Sequence, residues 1–353
     1  MAKVAALDAL IDAQASGRIS ANGEIRRLEI ETQGGAGSLQ VPKGLPGPLE
    51  FERFQFKANI QEDFAEITLT DAAIFLGGPA LSLDVTAHRI GDELSARIEA
   101  VLSDLPMAEL EKYWPVGLAE SARRWTTANI RSGTVDEGTL GLAVQVPLKR
   151  PEATEVQSLS GTLGYSDLSV AYFADFPKVT GIAGTAAFSH DQFNLDIIRG
   201  QLLDVRVESG VIKMSRLDSD SEQISIDLVM RGPLATALAI ANRKPLGLVG
   251  EVGIDPSAVG GEMAARLGFR FPLRSDVSVD QVTVSAAANL RDVNINPGPF
   301  GYQLSNADLE LKLANSAMKV GGQVRLNGVP LTVDWHELFS DAGAFRSRYI
   351  ISG

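Results

Sequence analysis

Residues 107–133 read MAELEKYWPVGLAESARRWTTANIRSG and interrupt a chain that elsewhere alternates apolar and polar residues with a period of two. Within this stretch, apolar residues recur every three to four positions from Leu118 to Ala128, which is helical spacing. Pro115 and Gly117 divide the stretch, because proline lacks a backbone donor and glycine lowers helix propensity. The stretch therefore predicts a helical insertion over 107–132 that joins two β-rich sections.

Three aromatic side chains of this insertion form a predicted helical cap: Tyr113, Trp114 and Trp125. Two interpretations are open for them. They either pack the helix pair against a sheet, or they gate a binding surface and contact its ligand. Large aromatic side chains can serve in both ways, so their spacing alone does not separate the two.

The regions on both sides of the insertion have the alternation of β-strands. This pattern predicts a first β-sheet section over 18–106 and a second over 133–353. Short helical breaks are predicted near 233–242 and 256–267, where Ala and Leu are frequent. Apolar residues at helical spacing also predict an N-terminal helix over 1–17.

One-sided alternation has a structural consequence, because a sheet with one apolar face must cover that face with another layer or a ligand. The predicted helices are too few and too short to cover about twenty strands. The sequence therefore predicts a mainly β fold: an elongated, antiparallel, curved sheet that forms a long apolar groove, with a few short helices.

An acyl chain is the expected occupant of such a groove, since proteins seldom leave a large contiguous apolar surface unused. The alternative, that the same side chains pack as a core between sheet layers, stays open. The aliphatic side chains predicted to line the groove are Ile67, Leu69, Leu83, Val85, Leu142, Val144, Ile224, Ile226, Leu228, Leu309, Leu311, Leu313, Leu331 and Val333.

A weak internal repeat is compatible with this architecture. The segment Gly164–Val170 can be aligned with Asn289–Ile295, at an offset of 125 residues (289 minus 164). Repeats of this kind predict a quasi-linear β array in which each unit packs on its neighbours.

Composition argues against several classes of protein. The net charge of −12 argues against nucleic-acid binding, which needs clustered Lys and Arg. The absence of cysteine excludes disulfides and thiolate metal sites. No apolar run is long enough to span a membrane, and Asp8 and Asp12 interrupt any signal peptide.

No catalytic constellation is present in the sequence. The histidines His88, His190 and His336 are far apart and lack the spacing of a metal motif. Glycine clusters match neither a phosphate-binding loop nor a dinucleotide fingerprint. We therefore expect no catalytic residue, no metal and no cofactor, and a protein that is not an enzyme.

Three blocks of residues resemble the AsmA-like superfamily of bacterial envelope proteins, and more closely its YhdP-like branch. The first block is Tyr113-Trp114-Pro115 with Ala122-Arg123-Arg124-Trp125 and Gly133-Thr134-Val135. The second runs from Leu159 to Val207 and contains Tyr165-Ser166-Asp167-Leu168 and Pro177 to Gly181. The third is Gly232 to Leu273, which ends in Phe271-Pro272-Leu273.

This resemblance implies a groove-forming β-sheet related to bridge-like lipid transfer proteins. It also implies phospholipid movement between the inner and outer membranes, in the periplasm of a Gram-negative cell. Members of the family usually carry an N-terminal membrane anchor, so we expect this chain to be a section tethered to the inner membrane by a segment that it lacks.

The resulting functional hypothesis is a lipid-binding groove segment that takes part in phospholipid transfer and envelope maintenance. Its expected partners are phospholipid acyl chains and proteins of the inner and outer membranes, without nucleic acid. The rival hypothesis is a structural or protein-interaction scaffold of the cell envelope without lipid transport.

Overall fold

A computed structural model describes the chain over residues 6–40, 45–114, 116, 120–172, 176–219, 221–243, 255–274, 277, 281–298, 301–314, 317–339 and 346–353. Over these residues the protein is mainly β, with nineteen strands of one antiparallel sheet and three short α-helices. The predicted class, mainly β and antiparallel with a few short helices, is confirmed. None of the helices within the described ranges is long and apolar enough to cross a bilayer.

The chain divides into two compact units. Unit 1 comprises Met1–Leu168 and Thr185–His190, and unit 2 comprises Ser169–Gly184 and Asp191–Gly353. The boundary between the two units falls near residue 168. The two predicted β-sheet sections meet elsewhere, at the helical insertion over residues 107–132.

The strands that begin in unit 1 are β1 (Ala6–Ile19), β2 (Ile25–Gln40), β3 (Leu49–Phe51), β4 (Arg53–Gln61), β5 (Glu66–Phe75), β6 (Ala80–Ile90), β7 (Glu93–Pro106), β8 (Ile130–Pro147) and β9 (Glu155–Val170). Consecutive strands from β4 to β8 pair antiparallel, and β3 and β4 both pair with β2. In β7, Ala96, Ile98 and Ala100 are half-buried on one face, while Arg97 and Glu99 are exposed on the other. The period-two alternation thus places the apolar side chains of this strand on one face of the sheet and its charged side chains on the other.

The helical insertion lies between β7 and β8. It contains a 3₁₀ turn at Met107–Glu109, α1 (Leu110–Tyr113) and α2 (Glu120–Asn129). Strand β8 begins at Ile130, so the insertion ends slightly before the expected residue 132.

The predicted N-terminal helix over 1–17 is wrong, because the described part of this segment is strand β1. This strand pairs antiparallel with β2 from Ala6 to Ile19, with Leu7 opposite Leu39 and Ala15 opposite Ile30. From Leu7 to Ala15 every second residue is apolar, and Leu10, which suggested helical spacing, is 89% exposed. Pairing with β2 satisfies the backbone along the whole segment, and tertiary context therefore decides the outcome.

The strands that begin in unit 2, or cross into it, are β10 (Val179–Ser189), β11 (Gln192–Leu202), β12 (Val205–Ser215), β13 (Gln223–Pro233), β14 (Val259–Pro272), β15 (Thr283–Ile295), β16 (Leu304–Ala314), β17 (Ala317–Leu326), β18 (Val329–Leu338) and β19 (Ser347–Ser352). From β11 to β19 each strand pairs antiparallel with the next. Helix α3 (Leu234–Ala241) follows β13 and lies within the predicted break at 233–242.

The second predicted break, 256–267, is wrong for most of its length. Only Pro256–Ala258 forms a helical turn, of the 3₁₀ type, and β14 begins at Val259. The Ala-rich run around Met263 and Ala265 suggests a helix by propensity. It nevertheless pairs with β13 in continuous register from Pro233 to Gln223, so strand pairing overrides propensity here.

An aspartate with positive φ occurs in four strands, each time directly before an inward residue. These are Asp71 (φ 54), Asp104 (φ 56), Asp167 (φ 51) and Asp292 (φ 50). In each case the inward positions are three residues apart instead of two: Leu69 and Ala72, Leu102 and Leu105, Tyr165 and Leu168, Leu290 and Val293. Aspartate tolerates this conformation better than most residues, and the extra residue keeps its carboxylate off the apolar face.

Two of these aspartates, Asp167 and Asp292, are equivalent in the proposed repeat at an offset of 125 residues. Both adopt the same left-handed conformation, with φ of 51 and 50. The repeat itself stays a prediction, and this shared backbone feature is compatible with it.

The unit 2 core is a cluster of buried apolar side chains from strands β11 to β17 and helix α3. Bulges around Asp292 and Asn306 bring Val293 and Ala307 opposite each other, where they are 2% and 0% exposed. The core consists of Leu202, Val205, Val207, Met230, Leu234, Val259, Met263, Ala265, Leu290, Val293, Ala307 and Val324.

Gly133→Ala is expected to destabilise unit 1, by roughly 1–3 kcal/mol. Gly133 has φ of 99, and a Cβ there would lie 2.6 Å from the backbone nitrogen of Leu168, which cannot rotate away. Gly141→Ala in the same strand is the control, since its Cβ would meet nothing closer than 3.6 Å. Thermal unfolding followed by circular dichroism measures both variants, and equal melting temperatures would contradict the expectation.

Candidate functional site

The unit 1 apolar face is a surface of half-buried aliphatic side chains on strands β5 to β8. Leu69 lies opposite Val85, Val85 opposite Ile98, and Ile98 opposite Leu142, so four strands contribute one continuous row. Cross-strand neighbours in such rows stand about 5 Å apart, which leaves no polar gap between them. We define the face as Ile67, Leu69, Leu83, Val85, Ile98, Leu142 and Val144.

The opposite side of these strands is polar. The Lys57 Nζ lies 2.9 Å from Asp71 Oδ2 and 3.8 Å from Glu31 Oε1. The hydrogen bond to Asp71, together with the two nearby carboxylates, raises the pKa of Lys57. These groups are exposed to solvent, so they mark the wet side of the sheet and contribute little to stability.

The unit 2 apolar face has an arrangement of the same kind, on β11 to β17. Leu195, Ile212, Ile226, Phe269 and Val284 lie opposite one another in successive strands. A neighbouring row contains Leu228, Leu267, Ala286, Leu313 and Met318. We define the face as Leu195, Ile212, Ile226, Phe269, Val284, Leu311 and Leu313, all half-buried.

The predicted lining residues of unit 2 separate into two groups by depth. Ile224 is buried, with 8% of its side chain exposed, and little of its surface remains for a ligand. Four more pack against the unit 2 core: Leu228, Leu309, Leu331 and Val333. Ile226, Leu311 and Leu313 remain half-buried away from it. Contact with lipid stays a prediction for each of these side chains.

The helical cap residues differ in their surroundings. Tyr113 and Trp114 are half-buried, and the Tyr113 hydroxyl donates a hydrogen bond to Glu109 Oε2 at 3.4 Å. Burial is the main cause that raises the pKa of Tyr113. Trp125 is 48% exposed, so it does not pack fully against the sheet. The three aromatics therefore do not form one buried cap.

Neither face carries the polar cluster that catalysis needs. In the described part of the chain, no three His, Cys, Asp or Glu side chains are placed to hold a metal ion. A cleft of about 480 Å³ lies at strands β1, β2 and β4, but Asp12, Gln33 and Arg53 share its lining with Leu10 and Phe54. The lining of this cleft is therefore mixed polar and apolar, unlike the two apolar faces.

Several aromatic residues on β4, β14, β18 and β19 were absent from the predicted lining. Phe54 and Phe56 stack at 6.4 Å between ring centroids, and Trp335 stacks on Tyr349 at 5.7 Å. Phe269 joins the row of Ile226. The signal was present in the sequence for Phe54, Phe56, Phe269 and Trp335, because each continues the alternation of its strand, whereas Tyr349 is followed by two more apolar residues.

A family model for the YhdP protein matches residues 13–348 of this chain. The chain belongs to the YhdP family. The YhdP-like resemblance drawn from the Tyr113-Trp114-Pro115 block and its two companions is thereby confirmed. The YhdP match covers residues of both units, so both apolar faces lie within the region that the family shares. No match was found among curated proteins or among solved structures.

Proposed function

We propose that this chain binds phospholipid acyl chains along its apolar faces and takes part in phospholipid transfer between the inner and outer membranes. The observation that carries the proposal is the row Leu69, Val85, Ile98 and Leu142, in which half-buried aliphatics of four strands stand side by side. Membership of the YhdP family agrees with lipid transfer at the level of the family. Envelope maintenance is the cellular role that follows from such transfer.

The mechanism is passive. An acyl chain on an apolar face exchanges water for aliphatic side chains, at about 0.8 kcal/mol for each buried CH₂. Six buried methylenes would therefore contribute about 5 kcal/mol before the entropy of association is subtracted. Headgroups remain in water, so no specific polar contact, cofactor or catalytic residue is required, and the chain acts without enzymatic chemistry.

The cellular setting belongs to the same proposal. We place the chain in the periplasm, tethered to the inner membrane, with inner- and outer-membrane proteins as its protein partners. The net charge of −12 supports the exclusion of nucleic acid from that set.

A structural scaffold of the envelope is the second candidate. The observation in its favour is the unit 2 core, since Leu228, Leu309, Leu331 and Val333 pack against buried protein side chains. In a scaffold the remaining apolar surface would be covered by protein, and lipid would be absent from the purified chain.

Purified protein is expected to carry phospholipid. Organic extraction followed by mass spectrometry should detect phospholipid at a constant molar ratio to protein across preparations, because release of a buried acyl chain is costly. Lipid-free protein should also take up a fluorescent phospholipid analogue from solution. Protein that contains no phospholipid and binds no analogue would contradict the transfer proposal and favour the scaffold.

A further inference from the structure

Leu203 combines two unfavourable features in the tight turn between β11 and β12. Strand β11 ends at Leu202 and β12 begins at Val205, directly opposite it. Leu203 and Asp204 alone therefore form the turn. Leu203 has φ of 57 and is 53% exposed. Glycine, Asn or Asp normally occupies such a position, because a larger L side chain is strained there. An exposed, strained leucine indicates a role for the side chain outside the fold.

Other exposed apolar side chains lie at the same end of the unit 2 strands. Antiparallel pairing from β11 to β18 places the β11–β12, β15–β16 and β17–β18 connections at one end of these strands. The segment before β10 is also there, since the Thr180 hydroxyl donates a hydrogen bond to the Gln201 carbonyl. We define the turn rim as four exposed side chains from these connections: Tyr172, Leu203, Tyr302 and Val329.

The opposite end of the same strands has a different chemistry. The described residues of its connections include Asp191, Arg216, Asp218, Glu222 and Arg274, together with one large exposed apolar side chain, Phe339. The turn rim combines two tyrosines with two aliphatic side chains, and its connections also contain Asp204 and the cationic Lys178 and Arg243. Tyrosine and lysine or arginine beside aliphatic residues are the side chains that proteins place at a membrane–water interface.

We propose that the turn rim contacts the surface of a zwitterionic phospholipid bilayer. Leu203 and Val329 enter the acyl boundary, while the tyrosine hydroxyls remain at the level of the headgroups. The rim spans six strand spacings from the β11–β12 turn to the β17–β18 turn, or roughly 30 Å along the sheet. The protein is acidic overall, so a zwitterionic surface suits it better than an anionic one. This contact does not depend on lipid occupying the apolar faces.

Flotation with phosphatidylcholine vesicles tests the proposal on the full chain. The wild-type protein is expected to float with the vesicles, and Leu203→Gly to reduce the bound fraction at least tenfold. Glycine relieves the backbone strain, so Leu203→Gly should keep or raise the melting temperature. A purely structural role for Leu203 would instead lower the melting temperature and leave flotation unchanged.

Ile198→Thr is the matched control, because Ile198 is 64% exposed on β11 but lies away from the turn. Its flotation should equal that of the wild type. Tyr302→Ser combined with Val329→Thr is a second rim variant that leaves Leu203 in place, and it should also lose flotation. Wild-type protein that stays at the bottom of the gradient would overturn the proposal. So would self-association that Leu203→Gly abolishes without any flotation, which would assign the rim to a second copy of the chain.

The flotation experiment tests bilayer contact separately from acyl-chain binding. Leu203→Gly should retain the phospholipid that is extracted from purified protein, since Leu203 lies outside both apolar faces. Failure of flotation with retained phospholipid would therefore remove the bilayer contact alone.

Discussion

Replacing Ile98 with aspartate is expected to lower the phospholipid that co-purifies with the protein at least tenfold, while unit 1 remains folded. Ile98 lies directly between Val85 and Leu142 in the middle of the unit 1 apolar face. A carboxylate there would have to lose its hydration wherever an acyl chain covers it, at a cost of several kcal/mol. Without lipid, the half-buried position leaves the carboxylate in contact with water. Quantitative mass spectrometry of extracted lipid measures the first effect, and thermal unfolding measures the second.

Val101→Asp provides the matched control in the same strand. Val101 is 40% exposed and lies opposite Ser82 and Thr139, on the polar side of β7. Its substitution introduces the same charge into the same strand without touching the unit 1 apolar face. Equal lipid loss in both variants would show that charge alone weakens binding. Unfolding of the Ile98→Asp protein would show that the face is a packed core, as the scaffold hypothesis requires.

The fold class followed from the sequence because most strands alternate strictly. In β13, and in β7 from Leu94 to Leu102, every second residue is apolar, and no other regular structure accommodates that period. The prediction for the N-terminal segment failed because Leu7 and Ile11 fit both a helix face and a strand face, whereas Leu10, which completes the helical spacing, is 89% exposed in β1. Which spacing prevails depends on the partner strand β2, and pairing across a hairpin is not visible within the segment itself.

The aspartate bulges follow a sequence pattern from which they can be predicted. A search for strict alternation treats the steps from Leu102 to Leu105 and from Leu290 to Val293 as interruptions. Each step has an aspartate directly before the second apolar residue, and that aspartate adopts positive φ. The four-residue pattern apolar–any–Asp–apolar within a strand therefore predicts a bulge. The bulge keeps both apolar residues on the inward face.

The depth of each lining residue could not be predicted. Ile226 and Leu228 occupy equivalent places in the alternation of β13, yet only Leu228 packs against the unit 2 core. The difference arises from the elements that pack on this part of the unit 2 core, including α3 and β14. Alternation assigns a residue to a face, but burial along the strand depends on which tertiary elements cover that part of the face.

Val205→Asp is expected to unfold unit 2. Val205 is 1% exposed and belongs to the unit 2 core together with Met230 and Leu234. An aspartate would be buried there among aliphatic side chains, and an unpaired buried carboxylate costs several kcal/mol. The whole free energy of unfolding of a domain is only about 5–15 kcal/mol, so this single change consumes much of it. Loss of cooperative thermal unfolding and of near-ultraviolet circular dichroism would be the measured result.

Ile226→Asp on the unit 2 apolar face completes the comparison, because it introduces the same charge at a half-buried position. Its melting temperature should fall by only a few degrees, since the carboxylate keeps contact with water, while its bound phospholipid should fall with that of Ile98→Asp. Val205→Asp and Ile226→Asp would then differ in stability, with a large loss at the fully buried position and a small loss at the half-buried one. If Ile226→Asp unfolded unit 2 as Val205→Asp does, the core would extend over the unit 2 apolar face, and no open surface would remain there for an acyl chain.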